Sequence, residues 1–281
     1  MSKVLVISEL GINHNGNLNL AKEMIKASKE SGADLIKLQK RNIDKVYSPE
    51  ELAKPRESKW GNTTRDQKLG LEFNEEQYDE INRYCEEIGI EWFASAWDLE
   101  SQLFLKKYDL SHNKIASAML THLQLLEMVA EERKPTMIAT GMSTLAEIDK
   151  AVEIFTRMDC PFSLIHTNST YPCADDKLNL NCIKTLGENY GCDVGYSCHS
   201  SGIIPAVLAV ALGACSVEKH FTMDRTLPGS DQASSVEPGG FERMVQYIRL
   251  SEKSLGDGKK VVFPEEQPIK QKLRRTKDYN G

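Results

Sequence analysis

VLVISELGINHNGNLNLAKEMIKASKESGADLIKLQ, residues 4–39, contains one complete structural unit and the start of the next. Val4–Ser8 is a short apolar run suited to a buried strand. Leu18–Lys29 then sets Leu20, Met24, Ile25 and Ala27 near helical spacing. Gly32 ends that helix in the way glycine ends many, and Leu35–Gln39 opens a second strand. The unit recurs. Further strand candidates are Glu91–Ser95, Asn113–Ser117, Thr136–Thr140, Phe162–His166, Asp193–Ser197 and Ser216–His220, making eight in all. Helix candidates lie at Asn74–Glu87, Leu99–Lys107, Leu123–Glu131, Leu145–Met158, Leu180–Glu188, Gly202–Leu212 and Phe241–Leu255. One helix after each strand is the pattern of parallel βα units. Eight of them within residues 1–262 predict an α/β fold, a single-domain (β/α)8 TIM barrel. GINHNG after the first strand is not GxGxxG, which argues against a doubly wound dinucleotide fold.

Two segments depart from the repeat. Residues 40–73 are too long for a simple connection and are expected to form an active-site loop with local structure of its own. Residues 263–281 read as a polar surface tail carrying Lys270, Lys272, Arg274, Arg275 and Lys277.

Composition narrows the function. The chain has 281 residues, 40% hydrophobic and 27% charged, enough apolar material for a large core. With 35 Lys+Arg against 41 Asp+Glu the net charge is -6, which disfavours a protein that holds nucleic acid through its phosphates. Small molecules are the expected partners. Seven cysteines without a CxxC spacing form neither a disulfide scaffold nor a zinc knuckle, so a reducing cytoplasm is expected. The N-terminus enters a strand at once, so no signal peptide is expected, and Ile203–Val217 is too short and too interrupted to span a bilayer. No membrane role follows.

In a barrel the reacting groups come from the C-terminal ends of the strands. Those ends offer Glu9 with Asn13, His14 and Asn15, then Lys37 and Gln39, Lys114 and Ser117, and Thr140 with Gly141. The later strands add His166 and Ser169, Ser197 and His199, and Glu218, Lys219 and His220. A lone lysine is ordinarily a solvated surface charge. Lys37 and Lys114, however, lie within the apolar patterns LIKLQ and NKIAS, where burial costs several kcal/mol without an anionic partner. Two such lysines with hydroxyls around one mouth point to a phosphorylated or doubly anionic substrate. His199 and His220 end neighbouring strands, where both imidazoles could meet one divalent Mn, Fe, Co or Zn ion. His112 and His122 have no such partners and read as structural.

ELGINHNG, LIKLQ, KIAS, ATGMST, HTNSTYP, GYSCHS and EKHFT with the following PGSD, taken together and in this order, resemble the sialic acid synthase family from Val4 to about Val262. The resemblance implies a synthase joining phosphoenolpyruvate to the aldehyde of an acylated amino sugar, giving a nine-carbon 3-deoxy-ulosonic acid and phosphate. By it, Lys37, Lys114, Ser117 and Ser197 hold phosphoenolpyruvate with Ser169 as a further contact. His199 and His220 take a divalent metal, usually manganese. Glu9, Gln39, Tyr171 and Asp231 face the sugar, with Glu9 handling protons. Catalytic roles thus fall to Glu9, His199 and His220, and a homo-oligomer is allowed.

Several positions depart from that pattern. Met119 stands where an acid is expected near the reacting carbons, Ser95-Ala96-Trp97 replaces an STP turn, and Cys198 replaces an acid beside the first metal histidine. The sequence ends shortly after Arg274-Arg275, where the family enters a C-terminal antifreeze-like domain. The loop with Arg56, Trp60 and Arg65 is therefore the expected lid, ahead of the basic tail. Two alternatives stand beside the main reading: a related phosphoenolpyruvate-dependent synthase using a different sugar aldehyde, and a barrel that binds sugar or phosphoenolpyruvate without turnover.

Overall fold

The computed structural model describes residues 3–274. Its first unit is β1 (Leu5–Glu9) followed by α1 (Leu18–Glu30), and β2 (Leu35–Lys40) starts the second. The Asn17 side chain accepts the Leu20 N–H and so caps α1. Ala21, Met24, Ile25 and Ser28 form the buried face of that helix, which closes at Ser31 before Gly32 turns left-handed at φ 90°.

Residues 40–73 fold on their own pattern into α2 (Ile43–Val46), α3 (Pro49–Leu52), a hairpin of β3 (Pro55–Ser58) and β4 (Gly61–Thr63), and α4 (Thr64–Leu71). Regular alternation then resumes with α5 (Glu75–Ile88), β5 (Glu91–Ala96), α6 (Leu99–Leu105), β6 (Asn113–Ile115) and α7 (Leu123–Ala130). It continues through β7 (Thr136–Ala139), α8 (Leu145–Arg157), β8 (Phe162–His166), α9 (Cys182–Tyr190), β9 (Val194–Cys198) and α10 (Ile204–Ala211). β10 (Ser216–His220), α11 (Pro238–Leu255) and the exposed α12 (Gln267–Leu273) complete the described chain. Arg275 and Lys277 of the expected tail lie outside the described residues.

The eight long-range strands close into a parallel barrel in the order β1, β2, β5, β6, β7, β8, β9, β10 and back to β1. Elements sit where the apolar periodicity places them, with shifts of one to three residues at their ends. The clearest shortening is β6, which stops at Ile115 because Ser117–Met119 turns into a 3-10 helix.

Two cores result. The larger lies between sheet and helices. The smaller fills the barrel itself with Ile7, Leu35, Phe93, Met137, Ala139 and Ile165. These inward residues obey the strand period of two, so the same faces carry Glu9, Lys37, Ser95, Ser197 and Glu218 one step nearer the C-terminal mouth. Register fixes the level. Glu9 pairs with both Lys37 and His220 across its two neighbours, and Glu218 pairs with Ser197. A buried apolar plug thus floors a charged layer, and Phe93→Ala in that plug is expected to cost about 3–5 kcal/mol.

Candidate active site

The mouth holds a cavity of about 180 Å³. Lys37, Gln39, Lys114 and Ser117 line it on one side. Ser169, Tyr171, Ser197, His199 and His220 line it on the other. Glu218, offered by the strand-end inventory but given no role there, lies at the centre of the floor. Its carboxylate accepts from Lys37 Nζ at 3.0 Å, Lys114 Nζ at 2.8 Å and Ser197 Oγ at 2.9 Å. Lys37 also pairs with Glu9, which accepts a hydrogen bond from Gln39 Nε2 at 2.7 Å. The anionic partner that buried lysines require is therefore built into the protein, and the two ammonium groups are balanced by two carboxylates.

That arrangement treats the two lysines differently. Burial pulls down on both. At Lys37 the Glu218 and Glu9 carboxylates outweigh burial and raise the pKa above 10.5. At Lys114 burial prevails over Glu218, helped by repulsion from Lys37, and the pKa falls below 10.5. Burial opposes the charge on Glu218 too, but Lys114 and Lys37 together hold its carboxyl well below 4.5.

Above this layer stand the two imidazoles, ring centroids 5.5 Å apart, with Tyr171 packed 4.1 Å from His199. His199 Nδ1 donates to the Asn168 carbonyl at 2.6 Å, which fixes its tautomer and leaves a lone pair on Nε2. Burial, then the neighbouring His220, lowers its pKa to about 3, so the ring is the neutral, ligating form. His220 Nδ1 is buried without a hydrogen-bond partner, 3.9 Å from the Asp231 carboxylate. No group of three or more His, Cys, Asp or Glu is arranged to hold a metal ion among the described residues. A metal here would take these two imidazoles and complete its shell with substrate or water oxygens, and a neutral ring with a free lone pair suits that use.

Ser117 and Ser169 meet at Gly141, whose N–H donates to Ser117 Oγ at 3.1 Å. A Cβ at Gly141 would come within 2.3 Å of Ser169 Oγ and 2.8 Å of Ser117 Oγ, so only glycine lets the two hydroxyls share the turn.

Other expected features lie elsewhere. Met119 packs against the outer core and does not line the cavity. Ala96 is buried in β5 while its neighbours Ser95 and Trp97 face the mouth. Cys198 lies on the opposite side of β9 from Ser197 and His199, 3.6 Å from Lys219 Nζ. Lys219 itself is fully buried away from the mouth, donating to the Cys198 and Ser200 carbonyls, because alternation turns it opposite to Glu218 and His220. His166 Nε2 donates to the Leu178 carbonyl at 2.8 Å, and His14 stacks on Phe73. His112 is bonded to Ser111 and His122 caps α7, in keeping with structural roles.

The loop of residues 40–73 does not cover the mouth. Trp60 packs against Gly70 and Gly16, Lys59 donates to the Asn15 carbonyl, Arg65 pairs with Asp44, and Arg56 is exposed. None of these residues lines the cavity, so in this structure the loop buttresses the β1 turn.

A closed parallel barrel whose strand ends converge two buried lysines, a carboxylate and two imidazoles on one small cavity belongs to the class of barrel enzymes that work on anionic small molecules. The chain belongs to the NeuB family, whose profile matches residues 24–260. It is 36% identical over 279 residues to N,N'-diacetyllegionaminic acid synthase of Legionella pneumophila, covering 96% of this chain and 78% of that protein. It is 35% identical over 274 residues to human N-acetylneuraminate-9-phosphate synthase, covering 96% and 76%. The crystal structure of N-acetylneuraminic acid synthetase from Leptospira borgpetersenii, in complex with citrate, superposes with a TM-score of 0.87 at 33% identity, covering 98% of this chain and 94% of that one. As a family member the chain is a phosphoenolpyruvate-dependent, carbon–carbon bond-forming transferase. No helix among the described residues is long and apolar enough to cross a membrane.

Proposed function

We propose that the chain condenses phosphoenolpyruvate with the open-chain aldehyde of an acylated amino sugar, giving a nine-carbon 3-deoxy-ulosonic acid of sialic type and phosphate. One observation carries this reading: Lys37 and Lys114 converge on Glu218 directly below His199 and His220, in a cavity of a NeuB-family barrel.

Lys37 and Lys114 hold the carboxylate and phosphate of phosphoenolpyruvate, with Ser117, Ser169 and Ser197 as hydroxyl donors. The floor's two positive charges are already balanced by Glu9 and Glu218, so a substrate with a carboxylate and a phosphate needs further positive charge. His199 and His220 would supply it by holding a divalent ion, manganese in our reading. Such an ion, when bound, polarises the aldehyde as a Lewis acid and orients a water. Gln39, Tyr171 and Asp231 face the sugar end. Carbon 3 of the enol attacks the aldehyde carbon, water adds at carbon 2, and collapse of that tetrahedral centre expels phosphate with the bridging oxygen. Glu9 takes a proton from the attacking water and returns it to the new alkoxide, and the remaining proton of the carbon 2 hydroxyl leaves with the phosphate.

The relatives' names differ in the sugar acid made, which favours keeping a synthase for another sugar aldehyde as the second reading. All seven cysteines are free, which fits a cytoplasmic enzyme, and a homo-oligomer accords with the open mouth. Phosphate release from phosphoenolpyruvate, measured across a panel of free amino sugars and sugar phosphates, decides among these. Release with one amino sugar supports the main reading, release only with other aldehydes the second, and none with any sugar leaves a binding barrel. Bridge-labelled phosphoenolpyruvate should deliver its label to phosphate. Label in the sugar acid would falsify attack at carbon 2.

A further inference from the structure

Arg41 immediately follows the cavity-lining strand β2, and its guanidinium carbon lies over the Trp97 ring at 4.2 Å from the centroid. Its side chain is 9% exposed. Glu72 fixes it from the loop side, accepting from the Arg41 backbone N–H at 3.2 Å and from Nη1 at 3.4 Å. Nη2 donates to Gln39 Oε1. On its other side Gln39 donates through Nε2 to Glu9 Oε1 at 2.7 Å. Gln39 and Trp97 line the cavity, and Arg41 does not.

The chemistry of the three groups leaves the amide one orientation. A guanidinium only donates and a carboxylate only accepts, so an amide between them must turn its oxygen to Arg41 and its NH2 to Glu9. Flipped, it would set donor against donor and acceptor against acceptor in a nearly dry site. One Nε2 hydrogen is used by Glu9, and the other remains for the cavity.

We propose that Arg41, carried on the face of Trp97, is a positioning residue that locks the Gln39 amide with its N–H toward the mouth, so that the substrate atom docking there is a carbonyl or hydroxyl oxygen. Trp97 belongs to one of the departures from the family turn, and the small or cyclic side chains of an STP turn could not serve as this platform. The identity of the docked molecule rests on the synthase reading. The orientation of the amide does not.

The test has two arms. In the resting protein, labelled with nitrogen-15, the side-chain NH2 of Gln39 is assigned by its loss in Gln39→Ala, and its exchange with solvent is measured. Arg41→Met should speed that exchange about tenfold, the order of one well-placed hydrogen bond. In steady-state assays with phosphoenolpyruvate and N-acetylmannosamine, Arg41→Met should raise KM for the sugar about tenfold while KM for phosphoenolpyruvate stays within about twofold. In a Gln39→Ala background the same change should add nothing, because Arg41 acts through that amide. Unchanged exchange in Arg41→Met, or losses that multiply in the double variant, would overturn the proposal. Should Arg41→Met fail to fold, Arg41→Lys keeps the charge facing Glu72 but not the planar fork, and carries the same expectations. If this sugar gives no turnover, the synthase reading is in question for it while the exchange arm still decides the role of Arg41.

Discussion

Replacing Glu218 by Gln tests the charge layer most directly. The carboxylate is the meeting point of Lys37, Lys114 and Ser197, all within 3.0 Å, and both lysine side chains are 6% exposed or less. Glutamine keeps the volume but removes the charge and turns an NH2 toward one ammonium. Two buried lysines are left to share Glu9. Breaking a buried pair by removing one partner costs about 3–5 kcal/mol. At roughly 2–4 °C per kcal/mol for a chain of this size class, the melting temperature should fall by about 10 °C at pH 7. The pH response has a definite sign. Lys114 is already below 10.5 in the wild type, so the unfolded chain binds more protons than the native one between the native value and 10.5, and stability rises with pH across that window. Losing Glu218 pushes the Lys114 pKa lower still and widens the window downward. The melting deficit of Glu218→Gln should therefore shrink as pH rises from 7 to about 10. Calorimetric melts of both proteins over that range provide the check. A variant that melts like wild type at pH 7, or whose deficit is independent of pH, refutes the counter-ion role.

Lys37→Ala and Lys114→Ala should each weaken phosphoenolpyruvate binding about tenfold or more in calorimetric titration, since each removes a charge-assisted contact; unchanged affinity in both would remove them from the anion site. His220→Ala should lose most bound metal after dialysis against manganese while its circular dichroism stays that of the wild type, and full occupancy would dismiss the imidazole pair as ligands. Gly141→Ala forces Ser169 and Ser117 apart and should weaken phosphoenolpyruvate binding with little change in melting, whereas normal binding would place the two hydroxyls outside the site. Trp60→Ala should lower stability by about 2–3 kcal/mol without a selective effect on sugar KM, because the ring is packed on Gly16 and Gly70; a pure sugar KM effect would restore the loop as a lid.

The barrel could be read from sequence because its signals are local. Short apolar runs, capping residues such as Asn17 and the glycine at position 32 act within one unit, and eight repetitions leave few topologies. Residues at the strand ends were legible for the same reason, and nine of them line a single cavity. What a side chain meets across the barrel is set by register and strand period together, and neither is written in one segment. Glu218, Lys219 and His220 are consecutive and all polar. Only alternation, applied with a fixed inward residue, separates the central Glu218 from the outward Lys219. Cys198 follows the same logic: its departure from the family concerns the partner of Lys219 on the outer face and leaves the mouth unaltered.

Arg41 shows the limit more sharply. In sequence it begins a long polar stretch, where a charged residue is ordinarily solvated. Its burial depends on Trp97, just after β5, and on Glu72, at the far end of the loop. Lys40 pairs with the same Glu72 and also donates to the Phe73 carbonyl, so both ends of the loop are tied at one point beside β2. This explains why the excursion of residues 40–73 can be long and still leave the mouth open: its ends are fastened together beside β2, and Trp60 anchors its middle to the β1 turn. A substitution at Glu72 should therefore reach the cavity only through Arg41 and Gln39. Glu72→Gln, which keeps the shape and drops the charge, is expected to loosen the loop ends in hydrogen exchange while changing sugar KM less than Arg41→Met does. The reverse order would mean that the loop, rather than the guanidinium on Trp97, sets the Gln39 amide.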